Sequence, residues 1–284
     1  MRSVPLWDRI SERKDAININ NLNMLFRERI HYSKANPIAF QDLETILEAM
    51  SKHIPFENIC IIEKRSQAIT KGNLVDKMLV KNEGGLCYEL NGLLYLFLIE
   101  NGCEAALVRG SVYDGASGMY QSMGKTHVAI LVRFENQAYI IDGGFGGNIP
   151  LKPVPLSGEV ISSKNGEFRM REVKTPHGEY ILEMKLKHKH SEWKIGYAFD
   201  PEETIKDVSM LDEVRVIIEE HDDSPFNKHP LLTKRTDNGG VTLTDTAITQ
   251  WKGGRVTKRE IDAEGYKDFL DTWFCTRQHQ KDPE

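Results

Sequence analysis

The stretch Glu83-Gly84-Gly85-Leu86-Cys87-Tyr88-Glu89-Leu90-Asn91, running on into Gly92-Leu93-Leu94-Tyr95-Leu96-Phe97-Leu98, constrains this chain more than any other. Two glycines make a permissive turn. Leu86, Leu90, Leu93, Leu94, Phe97 and Leu98 then recur at helical spacing, so the run predicts a buried helix against which other elements must pack. Cys87 falls in the first turn of that helix, where unpaired N–H groups and the helix dipole favour an anion, a thiolate included. Cys87 is therefore a candidate nucleophile. A small core residue beside a glycine turn fits the same letters.

A chain of 284 residues has room for one large or two to three modest domains. Its net charge of −5 gives no electrostatic case for binding nucleic acid or an anionic membrane. The stretch Met1-Arg2-Ser3-Val4-Pro5-Leu6-Trp7-Asp8 has no apolar core of signal-peptide length, and no later run is long enough to span a bilayer. The expected location is the cytoplasm. Cys60, Cys87, Cys103 and Cys275 show no closely spaced pairs, which argues against a zinc ribbon or a disulfide framework and for reduced thiols.

Residues 21–30 and 40–50 place apolar side chains three and four apart and predict helices punctuated by Pro37 and Pro55; residues 75–80 predict a third, shorter one. After the Cys87 helix, Asn101-Gly102 reads as a stop. The texture then changes to period two. Strands are expected over 105–113, 126–133, 138–142, 168–173, 180–187 and 193–199. Asp200-Pro201-Glu202-Glu203 reads as an N-cap with proline at the first helical position, opening a helix to about residue 220. The tail reads as strands at 231–235 and 239–244 and a helix over 262–274. Helices, then many strands, then a mixture describe an α+β protein in three parts.

A cysteine nucleophile needs a base, and the base needs an orienting partner. Of the nine histidines, His127 stands out because it starts the most apolar strand, His127-Val128-Ala129-Ile130-Leu131-Val132. The next strand ends on a carboxylate in Tyr139-Ile140-Ile141-Asp142. If the hairpin loop across Phe134-Glu135-Asn136-Gln137 has an even number of residues, His127 and Asp142 share a face; an odd loop or a bulge separates them. A carboxylate there would fix the tautomer of His127 and stabilise its imidazolium, which would favour the Cys87 thiolate. The glycines of Gly143-Gly144-Phe145-Gly146-Gly147 allow close approach of backbone N–H groups to a phosphate, although a plain glycine turn fits as well and no Walker or Rossmann pattern is present.

In its motifs the chain resembles the arylamine N-acetyltransferases. The resemblance is carried by Pro55-Phe56-Glu57-Asn58, Gly84-Gly85-Leu86-Cys87-Tyr88-Glu89-Leu90-Asn91, Thr126-His127-Val128 and Asp142-Gly143-Gly144-Phe145-Gly146-Gly147. Weaker matches follow at Ser224-Pro225-Phe226 and Gly239-Gly240-Val241-Thr242-Leu243. It implies an α+β, three-domain fold: a helical bundle over 1–84, a β-barrel with the catalytic helix over 85–200, and an α/β lid over 201–284. It implies a papain-like Cys87–His127–Asp142 triad and acetyl-CoA as donor, with acetyl-cysteine as the intermediate of a ping-pong transfer. The implied acceptor is an arylamine, hydrazine or N-hydroxyarylamine. Phe145 would line the acceptor pocket, and Phe226 would sit by the cleft under the lid. Gly124 and the loop Gly143, Gly144, Gly146, Gly147 would lie near the CoA pyrophosphate. No metal is implied, and the chain is expected to be a monomer or a weak homo-oligomer.

The chain departs from the family at Glu83, where arginine usually precedes the two glycines and could pair with the glutamate matched by Glu57. Two carboxylates buried together would cost several kcal/mol, roughly 3–5. A local cation, Lys81 or another, is therefore expected to compensate. Three alternative functions use the same letters: an amide synthase fed by a carrier-bound polyketide chain, a thiol hydrolase, and a binding module that kept the fold.

Overall fold

The computed structural model describes residues 21–34 and 37–274. The first eight residues and Cys275, read above from sequence, lie outside them. Helix α1, Leu22–Arg29, starts at Asn21, whose side chain accepts a hydrogen bond from the Met24 amide. Helix α2, Leu43–His53, buries Leu43, Ile46, Leu47 and Met50. Pro55 then forces extended backbone into the short strand β1, Phe56–Glu57. Helix α3 is a single turn, Ile59–Ile62. Helix α4, Lys71–Val75, is capped by Thr70 and widens into a π-helical turn, Asp76–Val80, where the sequence predicts a short helix over 75–80.

Helix α5, Cys87–Glu100, forms the centre of the core shared by the helical part and strands β2 (Glu104–Asp114) and β4 (His127–Phe134). Its apolar residues are not confined to one stripe: Leu90, Leu93, Leu94, Phe97 and Leu98 are each at most 1% exposed. A helix apolar all round must be enclosed. Helices α1 and α4 cover it on one side and strands β2 and β4 on the other. Leu94→Ala is expected to cost about 2–5 kcal/mol of stability, because the side chain is fully enclosed and a cavity remains. A urea titration checks it; an unchanged midpoint contradicts it.

The barrel comprises β2 (Glu104–Asp114), β3 (Met119–Tyr120), β4 (His127–Phe134), β5 (Gln137–Ile141), β6 (Val154–Pro155), β7 (Ile161–Ser162), β8 (Gly166–Thr175), β9 (Gly178–Leu186) and β10 (Lys194–Ile205). The order is β6-β5-β4-β2-β10-β9-β8-β7, all antiparallel, with β3 on β2. The sheet curls until β6 meets β8, which nearly closes it.

The expected helix from residue 201 is corrected at its start: residues 200–205 continue β10. Pro201 sits in the irregular segment between Phe199 and Thr204, where the strand has left its register with β2, so its missing N–H breaks no ladder bond. The Asp200 side chain accepts from the Glu202 amide at 2.9 Å, a local turn bond and not a helix cap. Helical structure starts at the 3-10 turn Val208–Leu211, capped by Asp207, and continues as α6, Asp212–Glu220.

The lid contains β11 (Leu231–Thr236), β12 (Gly239–Thr244), β13 (Ala247–Lys252), β14 (Arg255–Glu260) and α7 (Ala263–Trp273), the last capped by Asp262. Strands β13 and β14 are additions to the sequence reading. Every residue of β14 is exposed, so no apolar alternation marks it. Strand β1 completes this sheet by pairing Phe56 with Thr233 and Glu57 with Leu232, which ties the helical part to the lid. Among the described residues, no helix is long and apolar enough to cross a membrane.

Candidate active site

Cys87 is the first residue of α5 and is 7% exposed. Leucine at position 86 has no capping oxygen, and Glu89 reaches back instead, its Oε2 accepting from the Leu86 amide at 3.0 Å. The thiol points at the strand end across from it and lies 3.5 Å from the Thr126 carbonyl oxygen. His127 follows Thr126, as the first residue of β4.

The β4–β5 hairpin has the even loop that a shared face for His127 and Asp142 requires. Phe134 pairs with Gln137, leaving Glu135 and Asn136 with φ of 48° and 61°, as a two-residue primed turn demands. Ile130 opposes Ile141, so Asp142 comes next on the face that carries His127. The His127 Nε2 to Asp142 Oδ2 distance is 2.8 Å, with both side chains buried. Burial alone would disfavour a charged ring. The Asp142 carboxylate, and after it the hydrogen bond with Cys87, outweigh burial and raise the His127 pKa from 6.5 to about 10. With Nε2 held by Asp142, Nδ1 is the nitrogen left for the thiol.

Asp142 is completely buried and fully partnered. Oδ1 accepts from Asn91 Nδ2 and from the Gly144 amide, each at 2.9 Å; Oδ2 also accepts from the Tyr197 hydroxyl at 3.1 Å. Asn91 and Tyr197 hold Asp142 in place, and sequence reasoning missed both. Asn91 left a signal, being a polar residue one turn after Cys87 inside an enclosed helix, where it needs partners. It finds the Val128 carbonyl at 2.7 Å and the Gly143 amide at 2.9 Å. Tyr197 left none, since it sits in β10 far along the chain. Its ring lies 4.4 Å from that of His127, and Gly110, opposite His127 on β2, leaves space for it: a Cβ there would come within 3.0 Å of the tyrosine ring.

Gly144 is the point of closest approach between loop and helix. A Cβ would lie 2.8 Å from Cys87 Cα and from Asn91 Nδ2. Gly144→Ala is expected to cost about 1–3 kcal/mol and to separate thiol from imidazole, because neither the helix backbone nor the bonded Asn91 can yield. Thermal denaturation together with the rate of Cys87 alkylation checks this; wild-type values in both contradict it.

A cavity of about 230 Å³ opens onto Cys87 and His127. Phe56, Val112, Met123, Phe145, Ile218 and Phe226 supply its apolar wall, and Gln121 and Thr233 its polar groups. Of the residues expected near donor or acceptor, Gly144, Phe145, Gly146, Gly147 and Phe226 line it. Gly143 lies behind, with its amide engaged by Asn91, and Gly124 lies in a turn with φ of 73°, two residues before Thr126. A wider cleft of about 560 Å³, between residues 81–84 and the lid, contains none of the Cys, His and Asp just described. Among the described residues, no group of three or more His, Cys, Asp or Glu is placed to hold a metal ion.

Residues 39–280 match the N-acetyltransferase family. The chain belongs to this family. An acetyltransferase from Bacillus subtilis, itself uncharacterized, is 40% identical over 238 residues, 84% of this chain and 91% of its own. Arylamine N-acetyltransferase C from Bacillus anthracis superposes with a TM-score of 0.84 at 41% identity, covering 89% of this acetyltransferase and 98% of that chain. A Bacillus cereus arylamine N-acetyltransferase superposes at 0.83 with 40% identity over 89% and 97% of the two chains; its structure is described as revealing a unique Cys-His-Glu catalytic triad.

The cation expected beside Glu83 is present, though it is not Lys81, which pairs with Asp76 at 2.5 Å. Arg65 meets Glu83 at 2.8 Å, and Lys77 stands between Glu57 and Glu89 at 4.0 and 2.6 Å.

Proposed function

We propose that Cys87, His127 and Asp142 form a catalytic triad that moves acetyl from acetyl-CoA to an arylamine, hydrazine or N-hydroxyarylamine. The observation behind this reading is the meeting of a helix-start thiol, a carboxylate-held imidazole and an aromatic-walled cavity at one place. In the first half-reaction the Cys87 sulfur attacks the thioester carbonyl carbon. The tetrahedral intermediate collapses, the carbon–sulfur bond to CoA breaks, and the departing thiolate takes the proton held on His127. In the second, the acceptor nitrogen attacks acetyl-Cys87, His127 takes the proton from that nitrogen, and the Cys87 thiolate leaves. A ring as basic as His127 suits both transfers.

Among the described residues, the other thiols are poor competitors. Burial pushes Cys60 up to about 12 and raises Cys103, so both stay protonated near neutrality. Phe56, Phe145 and Phe226 offer flat apolar surface to an aromatic acceptor, and about 230 Å³ suits a small one better than a polyketide chain. A binding module has no need of a buried Asp142 with four bonds, and a hydrolase has no need of an aromatic wall. The division at 1–84, 85–200 and 201–284 belongs to this proposal, as does placing Gly124 and the glycine loop beside the donor. The free thiols of Cys60, Cys87 and Cys103 fit a reducing, cytoplasmic setting. Initial rates at varied acetyl-CoA and arylamine concentrations are expected to give parallel double-reciprocal lines. Intersecting lines would mean direct transfer with no acyl-enzyme.

A further inference from the structure

Lys77 is nearly enclosed, its side chain 15% exposed, on the π-helical turn Asp76–Val80. It lines no part of the cavity at Cys87. Its Nζ lies 2.6 Å from Glu89 Oε1 and 4.0 Å from Glu57 Oε1, whose side chains are 11% and 5% exposed. Burial opposes the charge on Lys77, but the two carboxylates together outweigh it and raise the pKa. At Glu57 the balance falls the other way: burial raises the carboxyl even with Lys77 beside it, as 4.0 Å allows only a weak pairing. A π-helical turn inside a helix is uncommon and often marks a functional position.

The pairing leads directly to the nucleophile. Glu89 Oε1 holds Lys77 while Oε2 holds the Leu86 amide, one residue before Cys87. Gly85 is fixed from two sides. Its carbonyl accepts from the Glu57 amide at 3.0 Å and its amide donates to the Pro55 carbonyl at 3.1 Å, while a Cβ on it would strike Glu89 Oε2 at 2.7 Å. Glu57 Oε2 in turn accepts from the Ile59 amide at 2.5 Å. Remove Lys77, and Glu57, Glu83 and Glu89 converge on the start of α5, with Arg65 and Lys81 opposing them from the far side, at Glu83. Two buried carboxylates then repel or take up a proton, and the grip of Glu89 on Leu86 loosens.

We infer that Lys77 is a positioning residue for acyl transfer, setting the place of the Cys87 sulfur through Glu89 and the Leu86 amide. This rests on the reading of Cys87 as the acyl-accepting thiol. It also predicts that the site of the cation is less important than its presence: charge at position 83 already acts on Glu57, so an arginine there is expected to serve in place of Lys77, with Arg65 keeping Glu63 as its partner.

The test uses the full chain as Lys77→Met, Lys77→Arg and the double variant Lys77→Met/Glu83→Arg. Two rates are read in each: single-turnover acetylation of Cys87 by acetyl-CoA, and alkylation of Cys87 by iodoacetamide across pH. Lys77→Met is expected to slow both roughly 10- to 100-fold with half-saturation by acetyl-CoA unchanged, since the sulfur is displaced and the donor site is not. Lys77→Arg and the double variant are expected to recover most of the loss. If Lys77→Met does not fold, Glu89→Gln takes its place: its single amide oxygen must serve both donors, Lys77 Nζ and the Leu86 N–H, so the hold on Leu86 weakens and alkylation is expected to slow likewise. Wild-type rates in Lys77→Met or Glu89→Gln overturn the inference, as does a slowed Lys77→Met that neither cation restores. If wild-type Cys87 takes no acetyl, the proposed function fails, and the alkylation rates still decide on Lys77.

Discussion

Cys87→Ala is expected to fold normally and to lose acetyl transfer by a factor of about 10³ or more. The substitution removes one sulfur atom from an enclosed position, and with it a weak hydrogen bond to the Thr126 carbonyl. Stability should therefore change by no more than about 1 kcal/mol. Among the described residues, chemistry has no such substitute. Cys60 and Cys103 are held protonated by burial, and neither lines the cavity with His127. Steady-state turnover and thermal denaturation of the same preparation separate the two effects. Turnover within tenfold of wild type, in a folded variant, would mean that another group accepts the acetyl.

Asp142→Asn is expected to lower turnover by about 10²- to 10⁴-fold. The amide oxygen can replace Oδ1 and still accept from Asn91 and the Gly144 amide, so the loop keeps its shape. The amide nitrogen then faces His127 Nε2 and donates where a carboxylate oxygen accepted. The imidazole is forced into the tautomer with its proton on Nδ1, toward the thiol, and cannot take the proton of Cys87. The ring also loses the charge that offset burial, so it becomes a weaker base. The same pair makes stability depend on pH. The folded pKa of His127 is raised above 6.5, so the stability it contributes is full below that value and is lost as pH rises through about 10. The gap in melting temperature between wild type and Asp142→Asn should therefore narrow as pH passes from neutral to above about 10. A gap that widens over that range contradicts the assignment.

Much of this site was legible because its elements are local. Helical spacing from Leu86 to Leu98 marked α5, and alternation marked β4 and β5, each with its chemical residue at an end where a pattern starts or stops. The even loop was the missing fact, and Glu135 and Asn136 supplied it by adopting positive φ. What was not legible depends on long-range packing. Asp200-Pro201 has the letters of a helix start, yet pairing of Thr204 and Ile205 with β2 kept the chain extended. Strand β14 carries no buried residue and so no pattern. Tyr197 reaches Asp142 only because the barrel brings β10 beside β2, and Lys77 reaches Glu89 only because a π-helical turn aims it there. The letter at Glu83 signalled that a cation was needed, while only the fold could tell that Arg65 and Lys77 supply it.

The central claim is that acetyl rests on Cys87 between donor and acceptor. Intact-protein mass spectrometry after mixing with acetyl-CoA alone tests it most directly, followed by peptide mapping and then addition of an aromatic amine. The account predicts one added acetyl group, mapped to Cys87, absent from Cys87→Ala, and released as the N-acetylated amine. No acetyl on the protein, or acetyl mapped elsewhere and not released by the amine, would contradict it.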